Sequence, residues 1–174
     1  MYMKTQRLLK VSNDLKGMPV YGQREGKKLG YVTDAVFHPI KGWLLGLIVQ
    51  TSSAETRELI VPDFVIAKDV VLVEKTTLYE GREILGALAC EQLIGSDVVT
   101  DDGKLLGRII EVYLPLDTQI AIYQVGGTGL REILKRTFFI SGDVPSFYSS
   151  HGLRMIVPAD TEKNRSRSAV VDAQ

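Results

Sequence analysis

Apolar and polar residues alternate along several short stretches of the chain, and each stretch ends at a glycine or proline turn. The clearest stretch is LGYVTDAVF at 29–37, and LGRIIEVYL at 106–114 repeats its pattern less cleanly. Alternation with a period of two is typical of β-strands. Five or so such strands fall within about 70 residues of each half, and this spacing predicts a small barrel or sandwich.

The stretch VVTDDGKLLG at 98–107 predicts a β-hairpin. Its Asp102-Gly103 pair tolerates the positive φ of a tight turn between two apolar runs. A calcium loop of the EF-hand type is the alternative that its acidic residues suggest. Counted from Asp97, however, Val99 stands where a ligand is required and Asp102 where glycine is required. We therefore expect a turn here and no metal site.

The chain contains this unit twice. Leu15 aligns with Leu93 at an offset of 93 − 15 = 78 residues, and one residue is lost in the turn that follows. Self-similarity at a fixed offset predicts two copies of one supersecondary unit. The matched pairs include Leu15 and Leu93, Gly17 and Gly95, Val20 and Val98, Gly26 and Gly103, Leu29 and Leu106, and Gly30 and Gly107.

Each copy combines these residues with an acidic strand position, Asp34 or Glu111, and the first copy adds an RELIVP strand ending at Pro62. In this pattern the chain resembles a tandem pair of PRC-barrel domains, covering residues 12–75 and 90–158. The second copy departs from the pattern near its end, where Ser141-Gly142 replaces Pro62-Asp63.

The resemblance implies a small β-barrel module that serves in several settings. Among them are the H subunit of purple bacterial reaction centres and one half of a ribosome-maturation factor. Because a shared fold does not confer a shared function, we carry over the fold and not those activities.

We accordingly expect an all-β chain of two tandem PRC-type barrels. The first spans 1–76, a short linker 77–90, the second barrel 91–158, and a polar tail 159–174 is expected to be disordered. Apolar spacing in the linker favours a short helix there, while Gly86 counts against it. A second helical turn is expected at 129–137.

Bulk composition narrows the function classes. The 174 residues carry 21 basic and 21 acidic side chains, so the basic excess that is typical of nucleic-acid-binding proteins is missing. A single cysteine, Cys90, fits a reducing compartment and is expected to be a buried, inert thiol. The longest apolar run, WLLGLIV at 43–49, is too short to span a bilayer. We expect a cytoplasmic bacterial protein without a membrane-spanning segment.

The candidate catalytic and ligand-binding residues do not have the spacing in the sequence that known catalytic or metal-binding motifs require. His38 and His151 stand beside turns without a second metal ligand at the required distance, and both are expected to face solvent. The stretch VGGTGLRE at 125–132 lacks the lysine of a phosphate-binding loop. Asp34 and Glu111 are expected at solvated outer strand positions. We therefore expect no enzyme activity, no cofactor and no metal.

The segment WLLGLIV is apolar on both faces, so one face must be covered by something outside its own barrel. The second copy, the linker and another chain are the candidates for that cover. We expect Trp43, Leu44, Gly46 and Ile48 to form this interaction surface, with the alternative that Trp43 caps its own core.

Four matched glycines, Gly17, Gly30, Gly95 and Gly107, are interpreted as structural. Gly30 and Gly107 lie inside strands, where glycine weakens pairing, and their recurrence predicts a bulge or barrel corner.

Together these patterns predict a non-enzymatic interaction module that binds a protein partner or a second copy of itself. Binding to RNA or the ribosome is the alternative, supported by the cluster of Arg24, Lys27, Lys28 and Tyr31. A peripheral place in a membrane complex is a weaker alternative.

Overall fold

The computed structural model describes residues 7–51, 58–61, 63–74, 79–80, 86–127, 137–148 and 152–161. Nearly all regular structure in these residues is β, and the strands form two sheets, one for each copy of the repeat. The predicted all-β fold of two tandem barrels is confirmed.

The first repeat contains eight strands and one helical turn in its described residues. They are β1 (Leu8–Lys10), a π-helical turn (Val11–Leu15), β2 (Pro19–Gly22), β3 (Lys28–Phe37), β4 (Leu44–Thr51), β5 (Glu58–Val61), β6 (Phe64–Ile66), β7 (Val71–Val73) and β8 (Tyr79–Glu80).

The second repeat contains seven strands and one short helix in the part of it that the structure describes. They are β9 (Leu88–Ala89), α1 (Cys90–Leu93), β10 (Asp97–Thr100), β11 (Leu105–Pro115), β12 (Ile122–Gly126), β13 (Phe138–Ser141), β14 (Ser146–Tyr148) and β15 (Arg154–Val157).

Six strands follow the same order in the two sheets, and β8 extends the first sheet by one strand more. The first runs β6-β7-β2-β3-β4-β5-β8 and the second runs β14-β15-β10-β11-β12-β13. In each repeat the first barrel strand pairs in parallel with the last one, β2 with β7 and β10 with β15, and antiparallel with the long strand that follows it. The duplication predicted from the sequence is therefore present in the topology.

The turn between β10 and β11 is the hairpin predicted from Asp102-Gly103. Gly103 has a φ of +90°, a conformation that glycine adopts without strain. The nearby acids bond within the protein, because Asp101 accepts the Ala159 N–H at 2.9 Å and Asp102 accepts the Thr100 hydroxyl.

Gly30 and Gly107 lie at points where two strands approach very closely. A Cβ at Gly30 would lie 1.9 Å from the Gln50 carbonyl oxygen, and one at Gly107 would lie 2.1 Å from that of Gly126. A register shift adjoins each glycine in the pairing with the preceding strand. The backbone of both repeats thus bends at a place that leaves no room for a side chain.

A feature that sequence reasoning did not anticipate is an exchange of segments between the repeats. Strand β1 precedes the first barrel but pairs with β11 of the second, whereas β9 precedes the second barrel but pairs with β3 of the first. The long strands β3 and β11 therefore each pair with two short strands besides the strand that follows them, β4 or β12. One short strand comes from the same repeat and the other from the opposite repeat.

The β3–β4 and β11–β12 turns also meet. Trp43 forms an antiparallel bridge with Ile120. The Leu44 N–H donates to the Gln119 carbonyl, and the Ala121 N–H donates to the Gly42 carbonyl, both at 2.9 Å. Gly42 and Leu44 of the first repeat correspond to Gln119 and Ala121 of the second, so each repeat gives one N–H and one carbonyl to the other. A pseudo-two-fold axis therefore passes between Trp43 and Ile120.

Most of the buried apolar residues of the two repeats form one continuous cluster, beside two small ones. It includes Val32 and Phe37 of the first repeat and Val112 and Leu114 of the second. Two barrels of this size would each bury too little surface to be more than marginally stable alone. The shared core makes the two repeats one folding body.

The stretch 77–90 expected as a linker contributes strands at both ends. In its described part β8 pairs with β5, β9 pairs with β3, and helix begins only at Cys90. The helical turn expected at 129–137, apart from residue 137, and the tail beyond residue 161 lie outside the described residues.

Candidate protein-docking surface at the junction of the repeats

The turn at residues 38–43, between β3 and β4, is held by a dense set of hydrogen bonds. The N–H groups of Ile40 and Lys41 both donate to Nδ1 of His38 at 3.1 Å. The His38 N–H donates to the Trp43 carbonyl at 2.8 Å, and the Gly42 N–H to the His38 carbonyl at 2.9 Å. His38, which was expected to face solvent, is half-buried and fixes the shape of this turn.

This rigid turn presents large apolar groups to solvent. Ile40 is 63% exposed and Trp43 is 50% exposed, and the His38 ring lies 6.3 Å from the Trp43 ring between centroids. The turn after β13 adjoins it, since a Cβ on Gly42 would lie 2.5 Å from the backbone of Gly142. Val144 in that second turn is also exposed. We call Ile40, Trp43 and Val144 the junction surface.

The structure separates the four residues expected to form an interaction surface. Trp43 is exposed, whereas Leu44 is half-buried against the main core and Gly46 is buried. Ile48 is buried in a small cluster with Val36 and Ala89. The outer face of β4 is thus covered by the segment that leads into the second repeat, and of these four residues only Trp43 stays open to an outside partner.

Asp34 and Glu111 are buried, so the expectation that they are solvated is wrong. They are only 9% and 6% exposed. A bulge precedes each of them in the pairing of β3 with β4 and of β11 with β12, and it resets the alternation on which the expectation depended. The exchanged segments then cover both carboxylates.

Each carboxylate caps the helical turn of the opposite repeat. Asp34 accepts the Glu91 N–H at 3.0 Å and the Ala35 N–H at 2.8 Å. Glu111 accepts the Ser12 hydroxyl at 2.5 Å and lies 3.4 Å from the Lys10 ammonium. These contacts join the repeats and leave neither carboxylate open to a substrate.

Burial shifts the pKa of two groups at or near these caps, Asp34 and Cys90. It raises the pKa of Asp34, and although the Glu91 and Ala35 N–H groups oppose this, they do not cancel it. Burial, followed by the charges of Asp34 and Glu111, raises the pKa of the Cys90 thiol well above its ordinary value. Cys90 is 2% exposed, as predicted, and stays a protonated thiol that cannot act as a nucleophile at neutral pH.

The comparison with known families agrees with this architecture. The PRC-barrel domain profile matches the chain twice, over residues 11–78 and 86–164. The chain belongs to the PRC-barrel family. No curated protein sequence matches it significantly.

In the described part of this PRC pair, neither a candidate metal site nor a candidate membrane-spanning helix is present. It contains no group of three or more His, Cys, Asp or Glu side chains placed to hold a metal ion. Among the same residues, no helix is long and apolar enough to cross a bilayer.

An open cleft of about 560 Å³ lies where the segment leading into the first PRC barrel passes the β6–β7 turn. Arg7 closes one side by donating to the carbonyls of Ala67, at 2.7 Å, and Lys68. The lining mixes cations, among them Lys16, with anions such as Asp69. This balance gives the cleft no clear preference for a ligand charge.

The basic cluster near the first hairpin is partly occupied by its own contacts. The Lys28 ammonium lies 3.8 Å from the centroid of the Tyr31 ring and donates to its hydroxyl. This internal stacking covers a face on which a nucleobase would otherwise stack.

Sequence reasoning found Trp43 but missed Ile40 and Val144. Both stand in short polar turns, HPIKGW and SGDVPS, where a bulky aliphatic group has no core to enter. An apolar residue inside a turn of that kind is the signal that could have identified them. The meeting of the two turns had no sequence signal, because it depends on the exchange.

Proposed function

We propose that this tandem PRC-barrel protein is a non-enzymatic scaffold of the bacterial cytoplasm that binds a protein partner at the junction surface. The observation that carries the proposal is a half-exposed tryptophan on a turn that both repeats hold in place. Trp43 is fixed through its own bridge to Ile120 and through the Gly42–Gly142 contact.

Rigid aromatic side chains are effective anchors for protein partners. Tryptophan is enriched among the residues that dominate binding energy, and it loses little conformational entropy on binding. The internal bonds of the 38–43 turn lower that cost further, because the backbone is already ordered. A partner with an apolar pocket for the indole and a contact for Ile40 fits this surface.

The chemistry of the interior supports a role other than catalysis. The buried carboxylates Asp34 and Glu111 are used as caps between the repeats, and the buried thiol of Cys90 stays protonated. Nδ1 of His38 already accepts two N–H groups. These groups act structurally, which is consistent with a scaffold.

Affinity capture with matched variants tests the proposal. Tyr148→Ser is the control, because Tyr148 is an exposed aromatic residue on β14 that lies outside the junction surface. We expect wild type and Tyr148→Ser to capture the same partner from lysates of the protein's own cells. Trp43→Ser and Ile40→Ser should each lose that partner, by about 30-fold or more in affinity for the tryptophan. Equal capture by all four proteins, or recovery of RNA alone, would contradict a protein-docking role.

Trp43 also supplies a direct readout, because it is the single tryptophan of the chain. Adding the purified partner should move its fluorescence to shorter wavelength as the indole leaves water. An unchanged spectrum at saturating partner would place the contact elsewhere on the molecule.

A further inference from the structure

The segments exchanged between the repeats dock with the same register in both directions. Lys10 pairs with Tyr113 and Leu9 with Leu114, while Ala89 pairs with Val36 and Leu88 with Phe37. These two pairs in one direction match the two in the other, and the longer β1 adds a third pair, Leu8 with Pro115. Such a self-complementary contact is the geometry that usually joins two separate subunits about a two-fold axis.

Each exchanged segment then presents backbone donors to a carboxylate. Ser12 is the second residue of the π-helical turn and Glu91 is the second residue of α1. Ser12 donates its hydroxyl and its N–H to Glu111, and Glu91 donates its N–H to Asp34. A carboxylate at a matched bulge thus recognises the start of a helical turn from the opposite repeat.

Apolar contacts accompany this polar recognition. Leu9 is 3% exposed and belongs to the same core cluster as Leu114 of the strand it joins. Leu88 packs against that cluster beside Phe37 in the reciprocal position. Removing either segment would expose a strand edge and part of the core.

We propose that each repeat recognises the other as a non-covalent partner, and that a repeat from a second copy of this chain can take the same place. Every strand pair, cap and core contact of the exchange is available between copies. The covalent connection between Glu80 and Gly86 only raises the effective concentration of one repeat near the other, to the order of millimolar for a short connection. This inference goes beyond the proposed function and does not require the junction surface to bind anything.

The test uses the full chain with a protease site inserted between Glu80 and Gly86 and cleaved after folding. We expect the two fragments to elute as one complex with the mass of the uncut protein. They should separate only in denaturant. Two independently eluting fragments, or fragments that precipitate on cleavage, would overturn the proposal.

Exchange between copies is measured by mixing cleaved protein with a cleaved, isotope-labelled sample at a urea concentration below the unfolding midpoint. Native mass spectrometry should then show hybrid complexes of one labelled and one unlabelled fragment. Failure to form hybrids at a urea concentration at which the two fragments separate from each other would overturn pairing between copies.

Matched variants locate the recognition. In the cleaved protein, Leu9→Ala should weaken fragment association by about 30-fold and Ser12→Ala by about tenfold. Tyr148→Ala, which lies outside the exchange, should leave it unchanged. Where Leu9→Ala prevents folding of the uncut chain, Ser12→Ala decides, because it keeps the N–H donor and removes only the hydroxyl. Equal association by Ser12→Ala and wild type would count against the exchange as the site of recognition.

Discussion

Asp34 and Glu111 occupy the same bulge in the two repeats, yet their surroundings differ. Asp34 is bonded by two backbone N–H groups, and Glu91 adds a like charge near it. Glu111 has one methylene more and reaches a serine hydroxyl as well as a lysine ammonium. The first repeat buries its carboxylate against backbone donors, whereas the second adds a side-chain hydroxyl and an ion pair.

This difference shows what the duplication holds constant. Both repeats keep the bulge, the burial of a carboxylate and the helical turn that it caps. The side chain on that turn changes from Ser12 in one repeat to Glu91 in the other. Backbone geometry is therefore the shared element, and the electrostatics of the two caps are set locally.

The largest effect is expected at the glycine that each repeat places against a neighbouring strand. Gly30→Val and Gly107→Val should each lower the free energy of unfolding by about 3 kcal/mol or more, because the new Cβ would overlap a neighbouring carbonyl oxygen. Chemical denaturation measures the loss. Neither backbone carbonyl can move without breaking its sheet. Gly107 also has a φ of +149°, which residues with a side chain rarely adopt, so its loss should be the larger of the two.

Gly17→Ala is the control for this pair. Gly17 has a φ of +89°, but a Cβ placed on it would meet no atom within 4 Å, so the cost should be about 1 kcal/mol, from backbone strain alone. Comparable losses at Gly17 and Gly30 would show that the close approach of the strands is not the cause.

The repeat made the fold readable from sequence. Matched glycines and alternating strands such as 29–37 predicted the two barrels, because strand period and turn chemistry are local properties. The order of the strands in each sheet came only from the structure. The exchange was not readable, since Leu8–Lys10 and Leu88–Ala89 are too short to show a period. Their partners are also set by the whole assembly.

The candidate site could be predicted only in part, because the exchange that covers part of its surroundings has no sequence pattern. Trp43 was identified from a strand that is apolar on both faces, but the cover of Ile48 by Ala89 depends on the exchange. The burial of Asp34 and Glu111 was misjudged because a bulge interrupts the alternation of each strand. A bulge of one residue leaves no mark in apolar periodicity when its neighbours are themselves apolar or small.

The next largest effect separates the two carboxylates. Glu111→Ala should destabilise the fold by about 2–3 kcal/mol, because it leaves the Val112 N–H and the Ser12 hydroxyl without their acceptor and removes the ion pair. Asp34→Ala should cost about 1–2 kcal/mol, since it removes no ion pair and no side-chain hydroxyl contact, and burial already disfavours the charged form of Asp34. Denaturant titration at neutral pH measures both.

Asp97→Ala is the matched control, because it removes a carboxylate whose partner is exposed. Arg108 lies 2.8 Å from Asp97, and an exposed pair of this kind contributes about 0–1 kcal/mol. A larger loss at Asp34 than at Glu111 would reverse the comparison and show that the Lys10 and Ser12 contacts add no net stability.

The smallest effect is a dependence on pH that belongs to the first repeat. Burial raises the pKa of Asp34 above its usual 3.8, so the folded protein binds this proton more tightly than the unfolded chain does. The resulting stabilisation is complete below pH 3.8 and is lost as the pH rises through the raised pKa. The Asp34→Asn variant lacks this proton-linked stabilisation. The difference in unfolding free energy between wild type and Asp34→Asn should therefore fall as the pH rises. The slope should be at most about 1.4 kcal/mol per pH unit.

Glu91→Gln sharpens this test because it keeps the N–H that caps Asp34 and removes the nearby like charge. That charge is one of the causes that raise the pKa of Asp34, although burial is the larger one. The pH-dependent fall in stability should therefore end at a lower pH in Glu91→Gln than in wild type and be smaller in total. Its start should not move, because the pKa of the unfolded chain sets it. Denaturant midpoints between about pH 4 and 8 measure both variants. A fall that ends at a higher pH in Glu91→Gln would show that the Glu91 charge does not raise the pKa of Asp34. An Asp34→Asn variant with the same pH profile as wild type would show that the N–H groups of Glu91 and Ala35 hold Asp34 ionised despite its burial.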